Sequence, residues 1–470
     1  MSSHPRPELL PPTPYATATE SGGRKWVYPK RSEGRYWQAR RAVAVFLVGL
    51  YTALPHLRIN GMPAVWLDIP ARRFTLFGTQ FWATDTLFLA LFLLSVAVTI
   101  VAATALFGRI WCGWGCPQTV YMEFVFRPIE NWLEGQANAQ RKFDDAYELP
   151  QLLRKGLKWV LFTLIAMLMA HTFLAYFVSV DRLTVWMTRS PFEHPLSFLV
   201  MAGVTGLILF DFGWFREQMC TIACPYGRLQ GTMMDMHTLR VGYDFKRGEP
   251  RGKLQKEKEG ETTLHGDCID CKLCVQTCPT GIDIRNGLQL ECIGCTQCID
   301  ACDEVMDKIH KPRGLIRNTT TAELEGQPQK IVRPRLFAYA AVLLVLIGTL
   351  TYQLETRADT TVSLLRAVEA PYTELPDGRI SNHLRLKISN KLREERSYTL
   401  ELVEPKGEGI QVVVPLSPLV IQGGEIGQTD VIVMLPPALV PGDSRPLQFV
   451  IHDSDGETYE ASFNFLGPKH

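Results

Sequence analysis

The chain has 470 residues and a formal net charge of +1. That length suits two or three domains, and the near-zero charge excludes a global electrostatic pull toward nucleic acid. All twelve cysteines fall between Cys112 and Cys302, which excludes a disulfide framework spread over the chain and points to metal chemistry in a reducing compartment.

Residues 1–41 are rich in Pro, Ser and Arg and carry no periodic apolar face. They read as a cytoplasmic tail, mostly disordered. No signal peptide is expected, because the first apolar run begins late and is long. About 20 apolar residues cross a hydrocarbon core of about 30 Å. On that rule five spans are predicted: Ala42 to His56, Ala83 to Phe107, Trp159 to Val180, Pro195 to Trp214 and Leu336 to Tyr352. The first is short and starts beside Arg40 and Arg41. Residues 42–215 then form a four-helix membrane region, and 336–353 the fifth helix. Lys and Arg crowd the tail, the loop from Gly108 to Lys158 and the segment from Arg216 to Arg335, while the loops around Ala71 and Arg189 hold few. The positive-inside rule therefore puts the tail and residues 216–335 in the cytoplasm and the C-terminal region outside.

Two cysteine pairs follow predicted spans. One is Cys112-Gly-Trp-Gly-Cys116-Pro117, the other Cys220-Thr-Ile-Ala-Cys224-Pro225. Both are C-x3-C-P, and both are preceded by an arginine and an aromatic (Arg109 and Trp111; Phe215 and Arg216). An internal duplication of span, thiol pair and surface helix is implied. In a helix, i,i+4 spacing puts both sulfurs on one face. A proline at the next position begins a new helix, leaving the pair at a break. Thiolates favour Cu(I), zinc and iron–sulfur centres over hard cations, and the four sulfurs could meet in one shared site. The plainer alternative is four reduced thiols that merely pack.

Three further features lie nearby. His171, inside the third span, is either functional or satisfied by a backbone carbonyl. Met233, Met234 and Met236, with His237, would suit a copper relay, but the apolar face of an interfacial helix is favoured. The alternating charges from Lys253 to Glu261 read as a solvated linker within 216–260.

Residues 261–312 carry the strongest signal. Cys268, Cys271, Cys274 and Cys278 form one C-x2-C-x2-C-x3-C run, and Cys292, Cys295, Cys298 and Cys302 form another. In such runs three thiolates bind one cubane and the fourth crosses to the other. The expected ligand sets are Cys268, Cys271, Cys274 and Cys302, and Cys292, Cys295, Cys298 and Cys278. Two structural zinc sites fit less well, since zinc prefers paired cysteines. Pro279 follows Cys278 as in bacterial ferredoxins, whereas Asp303 replaces the second proline. Residues 313–335 read as a linker.

From about residue 354 the period becomes two. Leu384, Leu386 and Ile388, then Tyr398, Leu400 and Leu402, then Ile432 and Met434, then Leu447, Phe449 and Ile451, and finally Tyr459, Ala461, Phe463 and Phe465 alternate with polar residues. Turn clusters such as Gly423-Gly424 separate them. Residues 354–470 are therefore expected to form an antiparallel β-sandwich. His452 and Asp453 read as a surface turn, not a site.

The twin-cluster run, the two C-x3-C-P pairs, the spans and the terminal β-domain together resemble the FixG/RdxA/CcoG family from about Arg35 onward. The resemblance implies an inner-membrane accessory protein for assembly of cbb-type cytochrome c oxidase. It also implies reduction of Cu(II) to Cu(I), a periplasmic immunoglobulin-like domain, and copper handling at Cys112, Cys116, Cys220 and Cys224. The implied partners are a cytoplasmic electron donor, the membrane, copper, and a transporter, chaperone or other assembly factor. Two rival readings remain: a respiratory subunit fed by quinol, and a non-enzymatic assembly scaffold. No paired intramembrane histidines suited to haem are present in the sequence.

Overall fold

In the computed structural model the described residues are 16–17, 23–82, 85–144, 148–253, 266–287, 289–330, 332–367, 370–392, 394–440 and 442–468. They form two compact units, Met1–Leu350 and Thr351–His470. Most of the charged linker from Lys253 lies outside the described residues.

Among the described residues four helices are long and apolar enough to cross a membrane: Thr86–Phe107, Leu149–Val178, Pro195–Phe215 and Pro334–Glu355. The expected first span, 42–56, is not among them. It belongs to the 19-residue helix Arg35–Ala53, whose Arg35, Arg40 and Arg41 lower its apolar content. That helix is about 28 Å long at 1.5 Å per residue. It is tied at one end through Arg40 Nε, which donates to the Gly113 carbonyl at 2.9 Å. At the other, Tyr176 Oη donates to the Tyr51 carbonyl at 2.7 Å. Arg40 is tolerated inside the helix because protein surrounds it: it is 0% exposed.

The helical core centres on Phe126, stacked on Phe212 at 4.5 Å and edge-on to Phe162 at 4.8 Å. His171 takes the plain role. Its Nδ1 lies 2.7 Å from the Met167 carbonyl one turn back. The loop around Ala71 is structured, which the sequence reading missed. Val65–Asp68, Arg73–Leu76 and Thr79–Trp82 make a three-stranded antiparallel meander. Trp66 Nε1 pins it to the Phe177 carbonyl at 3.1 Å.

Residues 23–41 are held in place by contacts with the rest of the chain, contrary to the expectation of disorder for them; most of residues 1–22 lie outside the described residues. Lys30 N–H donates to the Gln276 carbonyl and the Thr277 hydroxyl donates to the Lys30 carbonyl, both at 2.8 Å. Asp300 then caps Arg35–Ala53 by accepting from the N–H groups of Tyr36 and Trp37, at 3.2 and 2.8 Å. Local composition alone suggests disorder, but residues 30–37 are fixed by a partner segment far along the chain.

The cysteine-rich module extends beyond residues 261–312. Strand Arg240–Tyr243 pairs with Ile316–Thr319, and Val241, Tyr243, Leu315 and Ile316 share a buried core with Cys268, Cys274 and Ile299. Both strands come from segments that read as linkers. Asp303 also has a visible consequence. Without a proline there, helix Gln297–Lys308 continues for 12 residues, and the Asp303 carboxylate accepts from Gly314 N–H at 3.0 Å.

The second unit is an all-β sandwich of two antiparallel sheets. One orders Gln411–Val413, Ile426–Leu435, Ile380–Asn390 and Thr360–Arg366, with Thr373–Glu374 also on Ile380–Asn390. The other orders Leu419–Ile421, Arg396–Glu404, Ser444–Asp453 and Thr458–Leu466. Leu384, Leu386, Ile388, Leu447, Phe449, Ile451 and Phe465 fill the space between them. One strand is registered opposite to expectation: Val431, Val433 and Leu435 are buried, and Ile432 and Met434 take the other face. All five residues are apolar, so alternation could not decide between the faces. His452 and Asp453 end a strand instead of forming a turn. Asp453 is buried and accepts from Arg396 Nη1 at 2.9 Å.

Candidate metal and electron-transfer site

The two cysteine runs fold alike. In each, the residues flanking the middle cysteine have left-handed backbone: Asp270 (φ 49°) and Lys272 (φ 57°) about Cys271, Gly294 (φ 67°) and Thr296 (φ 61°) about Cys295. Each loop thus curls tightly before its helix, Leu273–Gln276 or Gln297–Lys308, begins. The fourth cysteines cross over. Cys302 is electrostatically coupled to Cys274, Cys268 and Cys271, and Cys298 to Cys295, Cys292 and Cys278. Cys268, Cys271, Cys274 and Cys302 line one small cavity. Cys278, Cys292, Cys295 and Cys298, with Cys274, line another of about 20 Å3. Burial pushes the Cys292 thiol up to about 11 and the thiols of Cys274, Cys295 and Cys302 up to about 12. Such an all-sulfur donor set, buried or half-buried except at Cys271, fits an iron–sulfur cluster, whose iron displaces the protons.

The C-x3-C-P pairs are also structural copies. Cys116 N–H donates to the Trp111 carbonyl and Cys224 N–H to the Met219 carbonyl, each five residues back and each at 2.8 Å. Both second cysteines are extended, and Pro117 and Pro225 open helices Pro117–Tyr121 and Pro225–Met233. The predicted break after each pair is therefore present. The first cysteines differ slightly: Cys112 sits in helix Ile110–Trp114, Cys220 in the π-turn Met219–Ala223. Four residues before each first cysteine the backbone makes the same rare turn, at Gly108 (φ 56°, ψ −125°) and Arg216 (φ 51°, ψ −119°). Glycine adopts it freely, but Arg216 must be held there. Its guanidinium donates to both Glu130 carboxylate oxygens, at 3.0 and 2.7 Å.

The two copies meet. Cys220 is coupled to Cys116, Cys112 and Cys224, and Cys112 to Cys116 and Cys224. Gln118 Nε2, from the first copy, donates to Asp211 Oδ1 and the Arg216 carbonyl of the second, both at 3.1 Å. Burial, then the neighbouring Cys116, pushes the Cys112 thiol up to about 12, and burial raises Cys220 as well. A soft cation would displace these protons also.

The cysteine module presents one loop to these pairs. Gly113 lies so close that a Cβ there would stand 2.8 Å from Cys295 Cα and N. A Cβ on Gly294 would stand 3.1 Å from the Arg109 carbonyl. A cavity of about 20 Å3, with room for one water, is lined by Cys220 together with Pro279, Thr280 and Ile293. The other loop points elsewhere, and Cys271 is exposed. Two buried arginines mark the junction. Arg109 donates to the Leu290 and Gly227 carbonyls and its charge favours the Cys292 thiolate, while that of Arg40 favours the Cys295 thiolate. The sequence marks Arg109 and Arg40 only as residues flanking a thiol pair and a span, shows Gly113 only as a spacer within the first pair, and gives no signal for Glu130. Two basic residues beside a span look like topology signals.

The methionine stretch does not form a helix face. The helix ends at Met233, and Asp235 forms an ion pair with Arg333 while the Thr238 hydroxyl bonds the Ala105 carbonyl at 3.0 Å. Met234 and Cys292 line a separate cavity of about 80 Å3.

Membrane-associated helices, twin ferredoxin-type loops and an immunoglobulin-like sandwich define a membrane iron–sulfur electron-transfer protein. Family profiles agree segment by segment. A 4Fe-4S dicluster domain matches residues 215–321, a 4Fe-4S binding domain matches 89–136, and the IG-like fold at the C-terminal of FixG matches 350–468. The chain belongs to the FixG/RdxA family. It is 36% identical to protein RdxB of Cereibacter sphaeroides, over 81% of this chain and 82% of that one. Protein RdxA of the same organism is 35% identical over 80% and 81%. The nitrogen fixation protein FixG of Rhizobium meliloti is 28% identical over 94% and 93%.

Proposed function

We propose that this protein reduces Cu(II) to Cu(I) by one-electron transfer, for copper delivery during assembly of a cbb-type cytochrome c oxidase. Cys268, Cys271, Cys274 and Cys302 would hold one [4Fe–4S] cluster and Cys292, Cys295, Cys298 and Cys278 the other, and bound clusters supply the one-electron chemistry. Copper is the substrate and docks on Cys112, Cys116, Cys220 and Cys224. The observation that carries this reading is the seating of Gly113 directly on Cys295, one residue from Cys112. It leaves no room for an intervening side chain between the cluster loop and the thiol pairs. Soft sulfur holds Cu(I) in preference to Cu(II), which biases the docked ion toward reduction. Arg40 and Arg109 offset the negative charge of the neighbouring thiolates, and Gln118 locks the two copies together. A cytoplasmic donor supplies the electron, and a transporter or chaperone takes the Cu(I).

The test is an iron and labile-sulfide count on anaerobically purified protein, with Cu(II) reduction assayed on the same sample. About eight irons per chain are expected, four for each cubane, together with reduction of Cu(II) once the protein is reduced. Zinc in place of iron, or full iron content with no Cu(II) reduction, overturns the reading.

On the same reading, residues 1–41 and the cluster module face the cytoplasm, 42–215 and 336–353 cross the inner membrane, and 354–470 lie in the periplasm. An alkaline phosphatase fusion after Arg357 is expected to be active and one after Gly260 inactive. The reverse pattern would invert the topology.

A further inference from the structure

We propose that Gln230 is a positioning residue for the thiol site, donating an N–H···S hydrogen bond to Cys112 when that sulfur holds copper. The inference rests on the copper reading above. Gln230 lies on helix Pro225–Met233, six residues after Cys224, and is 0% exposed. It reaches across the duplication, and its Oε1 accepts from the Cys112 thiol at 3.2 Å. Its Nε2 is buried without a hydrogen-bond partner among the described residues. A buried N–H with nothing to bond is rare in folded proteins, rarer than an under-satisfied carbonyl.

The two ends of a carboxamide have nearly the same shape and opposite hydrogen-bonding roles. The orientation with Oε1 toward sulfur matches a protonated thiol and leaves Nε2 idle. A metal-bound thiolate has no proton to give, so Oε1 would face its lone pairs. Turning the amide over presents Nε2–H to the sulfur instead. The idle donor is then used, and the thiolate gains a hydrogen bond that stabilises its negative charge. Such outer-shell bonds orient a ligand and tune the metal it holds.

The duplication makes this feature one-sided. The residue six positions after Cys116 is Met122, which has no amide and whose Sδ lies 4.0 Å from Arg216 Nη2. Gln230 therefore distinguishes one cysteine of the four.

The test uses the full chain with its iron–sulfur content intact, reduced and in detergent. Cu(I) is titrated against a chromophoric Cu(I) chelator, and the sulfur-to-copper charge-transfer band is recorded. Gln230→Met, similar in length but without a donor, is expected to bind Cu(I) about 10- to 100-fold more weakly. Its band is expected to move to lower energy, because an unbonded thiolate holds its electrons less tightly. Gln230→Glu keeps the shape and the acceptor but adds a charge that repels the thiolate, so it is expected to weaken binding at least as much. Native affinity and an unmoved band in either variant overturn the inference while leaving the copper reading intact. Cu(I) binding that is unchanged by Cys112→Ser overturns the copper reading, and this inference with it.

Discussion

Replacing Cys112 and Cys116 together by alanine is expected to lower Cu(II) reduction at least about tenfold, at the low end of what losing metal-site groups costs, while iron and sulfide stay at the native count. Cys220→Ala with Cys224→Ala should behave the same way. The eight cysteines of the twin runs line two small cavities of their own, and on the proposed reading each is taken up by a cubane. On that reading copper docks on other soft donors close to them. The remaining four cysteines are coupled to one another and lie beside the Cys295 loop through Gly113. Because both copies contribute, neither pair alone is expected to suffice. Steady-state Cu(II) reduction with a Cu(I)-specific chromophore checks this. A native rate in both double variants, with iron retained, would move the docking site elsewhere.

Removing Glu130 is expected to be the most damaging change outside the cysteines. Glu130 and Arg216 are both buried, with side chains 5% and 9% exposed. Taking away one partner of a buried, hydrogen-bonded ion pair costs about 3–5 kcal/mol, because the other charge is left in a dry environment. The nearby Glu217 carboxylate also favours the Arg216 charge, so the low end, about 3 kcal/mol, is expected for Glu130→Ala. That corresponds to about a hundredfold rise in the population of opened forms, at about 1.4 kcal/mol per tenfold. The effect should be focused on Cys220, because Arg216 holds the left-handed turn four residues before it. Alkylation of Cys220 in metal-free protein should therefore accelerate, and thermal unfolding in detergent should shift downward. Glu130→Gln keeps the shape and one acceptor and should lie between the two. An unchanged alkylation rate in Glu130→Ala would mean that the turn does not depend on the pair.

Much of the chemistry was legible before any coordinates. The crossed placement of Cys278 and Cys302 was expected from spacing, because three sulfurs on one tight loop leave a fourth position to another segment, and the structure groups them so. The copying of Cys112–Pro117 by Cys220–Pro225 was visible as an identical C-x3-C-P string, but the shared backbone turn at Gly108 and Arg216 was not, because a glycine and an arginine carry no common local signal for it. The sandwich followed from alternation wherever polar residues marked the outer face. It failed at 431–435, where both faces are apolar.

The linear pattern determined the cysteine runs, the β-region and the long apolar helices, because cysteine spacing, strand alternation and apolar length are set over a few residues at a time. The tertiary structure alone decided which of the two cysteine loops faces the thiol pairs. Gly113 meets Cys295 across 182 positions of chain, and no local pattern encodes that distance. It also decided the role of Arg40 and of the tail. An arginine at a span's edge reads as a topology signal, yet here it is buried against the Gly113 carbonyl, and the composition that reads as disorder is ordered by the carboxylate of Asp300. Both outcomes depend on partners more than seventy residues away, and a buried charge is tolerated only where such a partner arrives.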